Sequence, residues 1–240
     1  VLVIIKNRAK TNKNNETDDL FEQAMNTSDQ EILYETLIQH NKQSINELLN
    51  ISKNIYTDVV SSFIKEDIKT LRKVSNDCRL AKEKMKQLKR KEIMIMRRLD
   101  DKMINKNTWF HLSYNCIEQI LYALRRICDP CKEYVDNSFT PIDKNDLPEV
   151  ESPKEKVIWS IDTADITIST SEYSDVDGVM ERIKTREDEV VEMSHEQMDR
   201  IQHNKENIDL ALLYLNIIQE SSELITEMRH ILRSEAKLNE

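Results

Sequence analysis

Apolar residues recur every three or four positions along most of this chain, which is the spacing of one face of an α-helix. The clearest run begins at Ile68 and continues to Met103, and Glu92 is the one polar residue that interrupts it. At 1.5 Å per residue, a helix of this length would extend about 54 Å. Similar runs predict further helices over residues 28–62, 107–134, 157–172, 175–203 and 205–234.

Local signals predict where several of these elements begin and what joins them. Ser28 and Glu31 match the Ser-x-x-Glu capping box, so the first helix is expected to begin at Ser28. Residues 11–27 are polar and rich in Asn, and they are interpreted as a tether. Residues 157–172 contain many Ile and Thr residues, which favour strands, but no partner strand is predicted and a helix is therefore preferred.

Glycine is almost absent, since Gly178 is the only one in 240 residues. Phosphate-binding loops, dinucleotide-binding turns and nucleophile elbows each require glycines at fixed spacing, so none of these sites is expected. The prolines all fall in one central stretch, at positions 130, 141, 148 and 153. We therefore predict an all-α protein that has no enzymatic activity and is built from long helices.

The predicted helices form two groups of three on either side of the proline-containing stretch. Each group is expected to be an antiparallel three-helix bundle with short turns. Residues 28–137 would form the first bundle, 138–153 a linker, and 154–240 the second bundle. The last helix has two apolar seams, so it is expected to pack between two neighbours.

The net charge of −9 argues against a general role in nucleic-acid binding. The charge is uneven, because residues 82–98 contain eight Lys or Arg residues and only two Glu residues. This stretch is a candidate contact for an acidic partner, phosphate or an anionic membrane surface, although a solvated helix face is the simpler interpretation. The residues chosen as candidate contacts are Lys89, Arg90, Lys91, Arg97 and Arg98.

The four cysteines lie within apolar helical patterns and are interpreted as reduced, buried thiols. Cys128-Asp-Pro-Cys131 is a Cys-x-x-Cys motif, but a structural zinc site would need a second pair. Cys78 and Cys116 are isolated in the sequence, so no metal or other cofactor is predicted at the motif.

Two Glu-x-x-His pairs occur, Glu192 with His195 and Glu227 with His230. Carboxylate-bridged di-iron bundles use two such pairs, which must face each other. If the last two helices turn near residue 204, these pairs would lie at opposite ends of the bundle. They are therefore interpreted as surface residues, and no metal ligands are assigned.

The first five residues, Val1 to Ile5, are apolar and are followed by basic residues. They are too short to cross a bilayer but look like the end of a transmembrane helix with positive flanking charge. Residues 1–27 are therefore interpreted as a membrane-helix stub and tether. A short helix that packs on the bundle is the alternative.

Two segments resemble PhoU-like phosphate-transport regulators. In that family a short turn precedes a Leu-Tyr-Leu-Asp helix, and here residues 200–207 lead into Leu213-Tyr214-Leu215-Asn216. The segment from Cys128-Asp-Pro-Cys131 to Asn137 is similar to the cytosolic C-terminal domain of some bacterial inorganic phosphate transporters. The resemblance extends over about residues 28–235 and implies a PhoU-like fold of two three-helix bundles.

The resemblance also implies a function. It implies a non-catalytic regulatory domain at the cytoplasmic face of the inner membrane. Its expected partners are the transmembrane domain of its own transporter, an anionic membrane surface and a second copy in a homodimer. The alternatives are a helical scaffold or dimerisation module without a transport role and, least favoured, a metal-binding bundle.

One departure from the family concerns metal binding. PhoU proteins place a Glu and an Asp four residues apart on the third and sixth helices, where they bind metal clusters. The matching positions here are Glu118 and Tyr122 on the third helix, and Ser222 and Thr226 on the sixth. These side chains cannot hold a multinuclear cluster, so the family's ligands are not carried over.

Overall fold

The computed structural model describes residues 17–100, 104–137, 147–203 and 207–239. Within these ranges the chain forms helices and no strand, which confirms the all-α class. None of these helices combines the length and the apolar character that spanning a bilayer requires. The helices are α1 (residues 17–26), α2 (Gln30–Ile64), α3 (Ile68–Met96), α4 (Ile104–Asp136), α5 (Leu147–Thr170), α6 (Val176–His203) and α7 (Ile208–Asn239).

The first long helix, α2, is capped by Asp29 and not by Ser28. The carboxylate of Asp29 accepts hydrogen bonds from the backbone N–H groups of Glu31, at 3.0 Å, and Ile32, at 3.3 Å. Both Asp and Ser satisfy the free N–H groups of a first turn, so the capping box misplaced the N-cap by one residue.

The predicted helix from Ile68 to Met103 is shorter in the structure, because α3 ends at Met96. Its 29 residues extend about 43 Å. Beyond Met96 the backbone forms a tighter turn, in which hydrogen bonds join residues three apart. The N–H of Arg98 bonds to the carbonyl of Ile95, and the N–H of Leu99 bonds to the carbonyl of Met96. The apolar spacing in the sequence continues past the last helical turn, so it does not indicate where α3 ends.

Two segments predicted to be irregular are helical. Residues 17–26 of the predicted tether form α1, and residues 147–153 of the predicted linker belong to α5. In α5 a buried apolar face starts at Val150 and includes Val157 and Ile161, so the helix begins before Pro153. The predicted stub over residues 1–13 and the remainder of the linker, 138–146, lie outside the described residues.

Tight turns form without glycine. Glu66, between α2 and α3, has φ 54°, and Ser171, between α5 and α6, has φ 56°. These left-handed conformations usually favour glycine. Gly178 does not have a positive φ and lies in the first turn of α6, where the side chain of Asp175 packs close to its Cα.

The six long helices form two groups of three, and within each group every helix contacts the other two. These groups are α2, α3 and α4, and α5, α6 and α7. They join through contacts of α4 with α7 and of α2 with α5. One large hydrophobic cluster, here called the main core, contains residues of all six helices, so the two predicted bundles share a core. As expected for a helix with two apolar seams, α7 packs against α4, α5 and α6.

Candidate functional site

A second, smaller hydrophobic cluster lies at one end of the bundle and is here called the end cluster. It joins α1 to the first residues of α2 and α4 and to the last residues of α3 and α7. Its buried members are Ala24, Leu33, Leu37, Ile95, Phe110 and Leu238.

Buried polar side chains separate the end cluster from the main core. On α2, α3, α4 and α7 the buried positions change from apolar to polar between the residues of the two clusters. We call this set the polar layer; it contains His40, Asn41, Ser44, Glu92, Ser113 and Glu235. Tyr114, a residue of the main core, borders the layer with its hydroxyl. The one signal of the layer in the sequence analysis was Glu92, which interrupts the apolar run of α3.

Glu92 is the centre of one half of the polar layer. Its carboxylate accepts hydrogen bonds from the hydroxyl of Tyr114, at 2.7 Å, and from Asn41 Nδ2, at 3.1 Å. Nδ1 of His40 lies 2.9 Å from Oε1 of Glu92, and both side chains are fully buried. Glu92 therefore ties α3 to α2 and α4.

Glu235 forms the other half of the layer and joins α7 to α4. Its Oε1 accepts a hydrogen bond of 2.6 Å from the hydroxyl of Ser113. Burial, together with the negative charge of Glu92, raises the pKa of Glu235 to about 7, although Ser113 and the charge of Lys42 act in the opposite direction. The carboxyl group of Glu235 therefore holds its proton to a higher pH than an exposed glutamic acid does.

Some buried polar atoms of the layer have no hydrogen-bond partner among the described residues. They are Nε2 of His40 and Oδ1 of Asn41. The hydroxyl of Tyr173, from the turn between α5 and α6, is also buried without a partner in the described part of the chain. An unsatisfied buried polar group costs about 1–3 kcal/mol. The polar layer therefore stabilises the bundle less than a well-packed apolar layer would.

Two of the predicted anion contacts hold α1 against the bundle. Lys91 forms an ion pair with Asp18, and its ammonium lies 5.5 Å from the ring centre of Phe21. The guanidinium of Arg98 donates hydrogen bonds to the carbonyl oxygens of Ala24 and, at 2.6 Å, Thr27. A cation is favourable there because a helix carries partial negative charge at its C-terminus.

The other three predicted contacts face solvent to different degrees. Lys89 is half-buried, whereas Arg90 and Arg97 are exposed. None of these three side chains forms a hydrogen bond or an ion pair with another described residue. The structure thus separates the predicted set into two side chains that bind α1 and three that are available to a partner.

The α4–α7 interface brings together three side chains that the sequence analysis did not connect. The ligand atoms of Cys116, Glu227 and His230 all lie within 4.8 Å of one another. Glu227 is only 7 % exposed, so its interpretation as a surface residue was wrong. Cys116, isolated in sequence, lies beside Glu227 in the structure, and its pKa is raised by burial and by that carboxylate.

The two Glu-x-x-His pairs were predicted to lie at opposite ends of the bundle, and in the structure they are separated by a shorter distance. Arg229, next to His230, forms an ion pair of 2.5 Å with Glu187 on α6. His195 is eight residues further along α6, a distance of about 12 Å. The pairs therefore do not face each other.

Cys78 is also not isolated. The neighbouring thiol of Cys128, across the α3–α4 interface, together with burial raises the pKa of Cys78. Burial likewise raises the pKa of Cys131. The described cysteines are free thiols.

An open groove of about 700 Å³ lies between α4 and α7. The two segments that carry the PhoU-like resemblance form its opposite walls, because residues 125–134 lie on one side and 209–216 on the other. Its apolar surface comes from Tyr122, Pro130, Leu212 and Leu213.

Comparisons of the chain with protein-family models, with curated proteins and with solved structures find no match. The site is therefore interpreted from its own geometry.

Proposed function

We propose that this chain is a non-catalytic regulatory domain of an inorganic phosphate transporter, located at the cytoplasmic face of the inner membrane. It acts by contact between helices, and its partner is the transmembrane domain of that transporter. The proposal is carried by the docking of α1 on the end cluster, where Lys91 and Arg98 hold it. The PhoU-like resemblance of the segments on the two sides of the α4–α7 groove supports the choice of phosphate transport.

The position of α1 suggests how a partner's state reaches the bundle. Displacement of α1 acts directly on the ends of α2, α3, α4 and α7, because all four contribute to the end cluster. The hydroxyl of Tyr34 also bonds to the carbonyl of Leu238, at 3.3 Å, and so links α2 to α7. The polar layer separates this end from the main core, so the end can rearrange while the main core stays packed.

The three basic side chains beside α1 that have no described partner supply the contact surface. Lys89, Arg90 and Arg97 are near the end of α3 to which α1 is attached. Each basic side chain close to an anionic membrane surface contributes about 1 kcal/mol of attraction. An acidic segment of the transporter would be held in the same way.

The experiment uses the full-length gene and measures phosphate uptake by cells at low and high external phosphate. The combined variant Lys89→Glu, Arg90→Glu and Arg97→Glu is expected to lose the response of uptake to external phosphate. Its matched control, Lys65→Glu, Lys69→Glu and Lys132→Glu, changes the same charge at the opposite end of α3, about 30 Å away, and is expected to keep the response. Unchanged uptake and response after deletion of residues 28–235 would contradict the proposal.

A further inference from the structure

Glu227 and His230 have the spacing of two metal ligands on one helix. They lie three residues apart, on the same face of α7, and Nδ1 of His230 is 3.5 Å from Oε2 of Glu227. Two ligands of a tetrahedral zinc ion, with bonds of about 2.0–2.1 Å, are separated by about 3.3 Å. These two atoms therefore need almost no movement to bind one ion.

Cys116 supplies a third ligand from the neighbouring helix. Its thiol lies within 4.8 Å of both α7 ligand atoms. A sulfur ligand at about 2.3 Å from zinc would be about 3.5 Å from the other ligands, so closure requires a shift of roughly 1 Å. A small rotation of the Cys116 or Glu227 side chain provides this shift.

The charges around Glu227 favour a cation. The like charge of Glu223 acts on this buried carboxylate, and the nearby basic side chains are already engaged. Arg126 binds Glu220 at 2.6 Å, and Arg229 binds Glu187. Within the described part of the chain, His230 is the only basic residue that forms an ion pair with Glu227.

We propose that Cys116, Glu227 and His230 form a mononuclear Zn²⁺ site that links α4 to α7. Thiolate, imidazole and carboxylate together are the ligands of zinc, whereas Ca²⁺ and Mg²⁺ take oxygen ligands. On binding, the Cys116 thiol releases its proton to solvent and the sulfur bonds to the metal. His230 is 47 % exposed, so its side of the site admits the ion and leaves room for water as the fourth ligand.

This site is separate from the α1 surface and does not depend on the transporter proposal. It also differs from the positions that match the PhoU metal motif, since it uses none of Glu118, Tyr122, Ser222 and Thr226. The chain contains its own control in Glu192 and His195, which have the same spacing on α6. That pair is exposed, at 73 % and 68 %, and no third ligand group joins it among the described residues.

The test uses the purified, tag-free full chain after treatment with a chelator. Titration with Co²⁺ is expected to produce thiolate-to-cobalt charge-transfer absorption and the intense visible bands of four-coordinate cobalt, at one equivalent. One equivalent of Zn²⁺ should then remove these bands. Cys116→Ser is expected to abolish the charge-transfer absorption. Glu227→Gln and His230→Gln should each weaken Co²⁺ binding at least tenfold, since even the loss of a partner that only supports a metal ligand costs about 10–100-fold.

Three controls separate this site from other thiols and surface residues. Cys128→Ser, Glu192→Gln and His195→Gln are expected to leave the cobalt spectrum and affinity unchanged. Circular dichroism and thermal unfolding establish that each variant is folded, and the half-exposed position of His230 makes its variant informative even if Cys116→Ser is unstable. A wild-type chain without charge-transfer absorption, or absorption that persists in a folded Cys116→Ser variant, would overturn the proposal.

Discussion

The main core and the end cluster are built differently although the same helices pass through both. The main core contains residues of six helices and includes Phe63, whose ring meets those of Tyr134 and Tyr214 edge-on at 6.1 and 6.3 Å. The end cluster is small, is closed on one side by α1, and is separated from the main core by the polar layer. We therefore expect most of the stability to belong to the main core, and the end cluster to rearrange more easily.

The largest expected effect comes from removing an aromatic ring from the main core. Phe63→Ala should lower the free energy of unfolding by about 3–5 kcal/mol, because the surrounding helices cannot close the cavity fully. Urea denaturation measures the loss. The matched variant Phe110→Ala, in the end cluster, should cost less because the end of the bundle can collapse around the cavity. Equal losses would remove the distinction between the two clusters.

The pH dependence of stability tests the polar layer. The folded-state pKa of Glu235, about 7, lies above its ordinary value of 4.5. Between these two pH values the unfolded chain has released a proton that the folded chain still binds, so stability falls as pH rises, by at most about 3 kcal/mol. Glu235→Gln cannot ionise and should therefore be more stable than wild type at about pH 8, with a flatter profile from about pH 5.

Urea midpoints measured across that pH range check the result. Glu196→Gln, at an exposed position on α6, is the control and should retain the wild-type slope. A Glu235→Gln profile that follows the wild type at every pH would show that this carboxyl group is not responsible for the slope.

The smallest expected effect concerns the attachment of α1. Arg98→Ala removes the donors to the carbonyl groups of Ala24 and Thr27 and should cost about 1 kcal/mol or less overall. Its local effect should be clearer, because the amides of residues 17–26 should exchange their hydrogens faster while those of the main core do not. Arg97→Ala is the neighbouring control and should leave α1 protected. Equal protection of α1 in both variants would contradict the role of Arg98.

The helices could be predicted because their signals are local. In any amphipathic helix the buried residues lie three or four positions apart, so the pattern is visible within one segment of the sequence. For example, the predicted start of α6 was within one residue of the observed start. Capping was less certain, since Ser28 and Asp29 are adjacent residues of equal capping ability and only the backbone decides between them. Pro153 misled the prediction for α5 because the buried face that begins at Val150 outweighs the local preference of proline.

The roles of single side chains were harder to predict. Lys91 and Arg98 resemble Lys89, Arg90 and Arg97 in sequence, and only the docking of α1 distinguishes them. In the same way, Glu227 and Glu192 stand in identical Glu-x-x-His motifs, yet one is buried beside a thiol and the other is exposed.

Apolar periodicity within the sequence was sufficient for the helix class, the order of the long helices and the two-seamed character of α7, because each depends on residues close together along the chain. The polar layer and the Cys116–Glu227–His230 group depend on how far one helix slides along another, and on which face it turns toward its neighbour. Packing of the whole bundle sets these relations, since burying every apolar face at once permits few arrangements. That is why residues such as Ser113 and Glu235, 122 positions apart, meet in the structure and have no recognisable connection in the sequence.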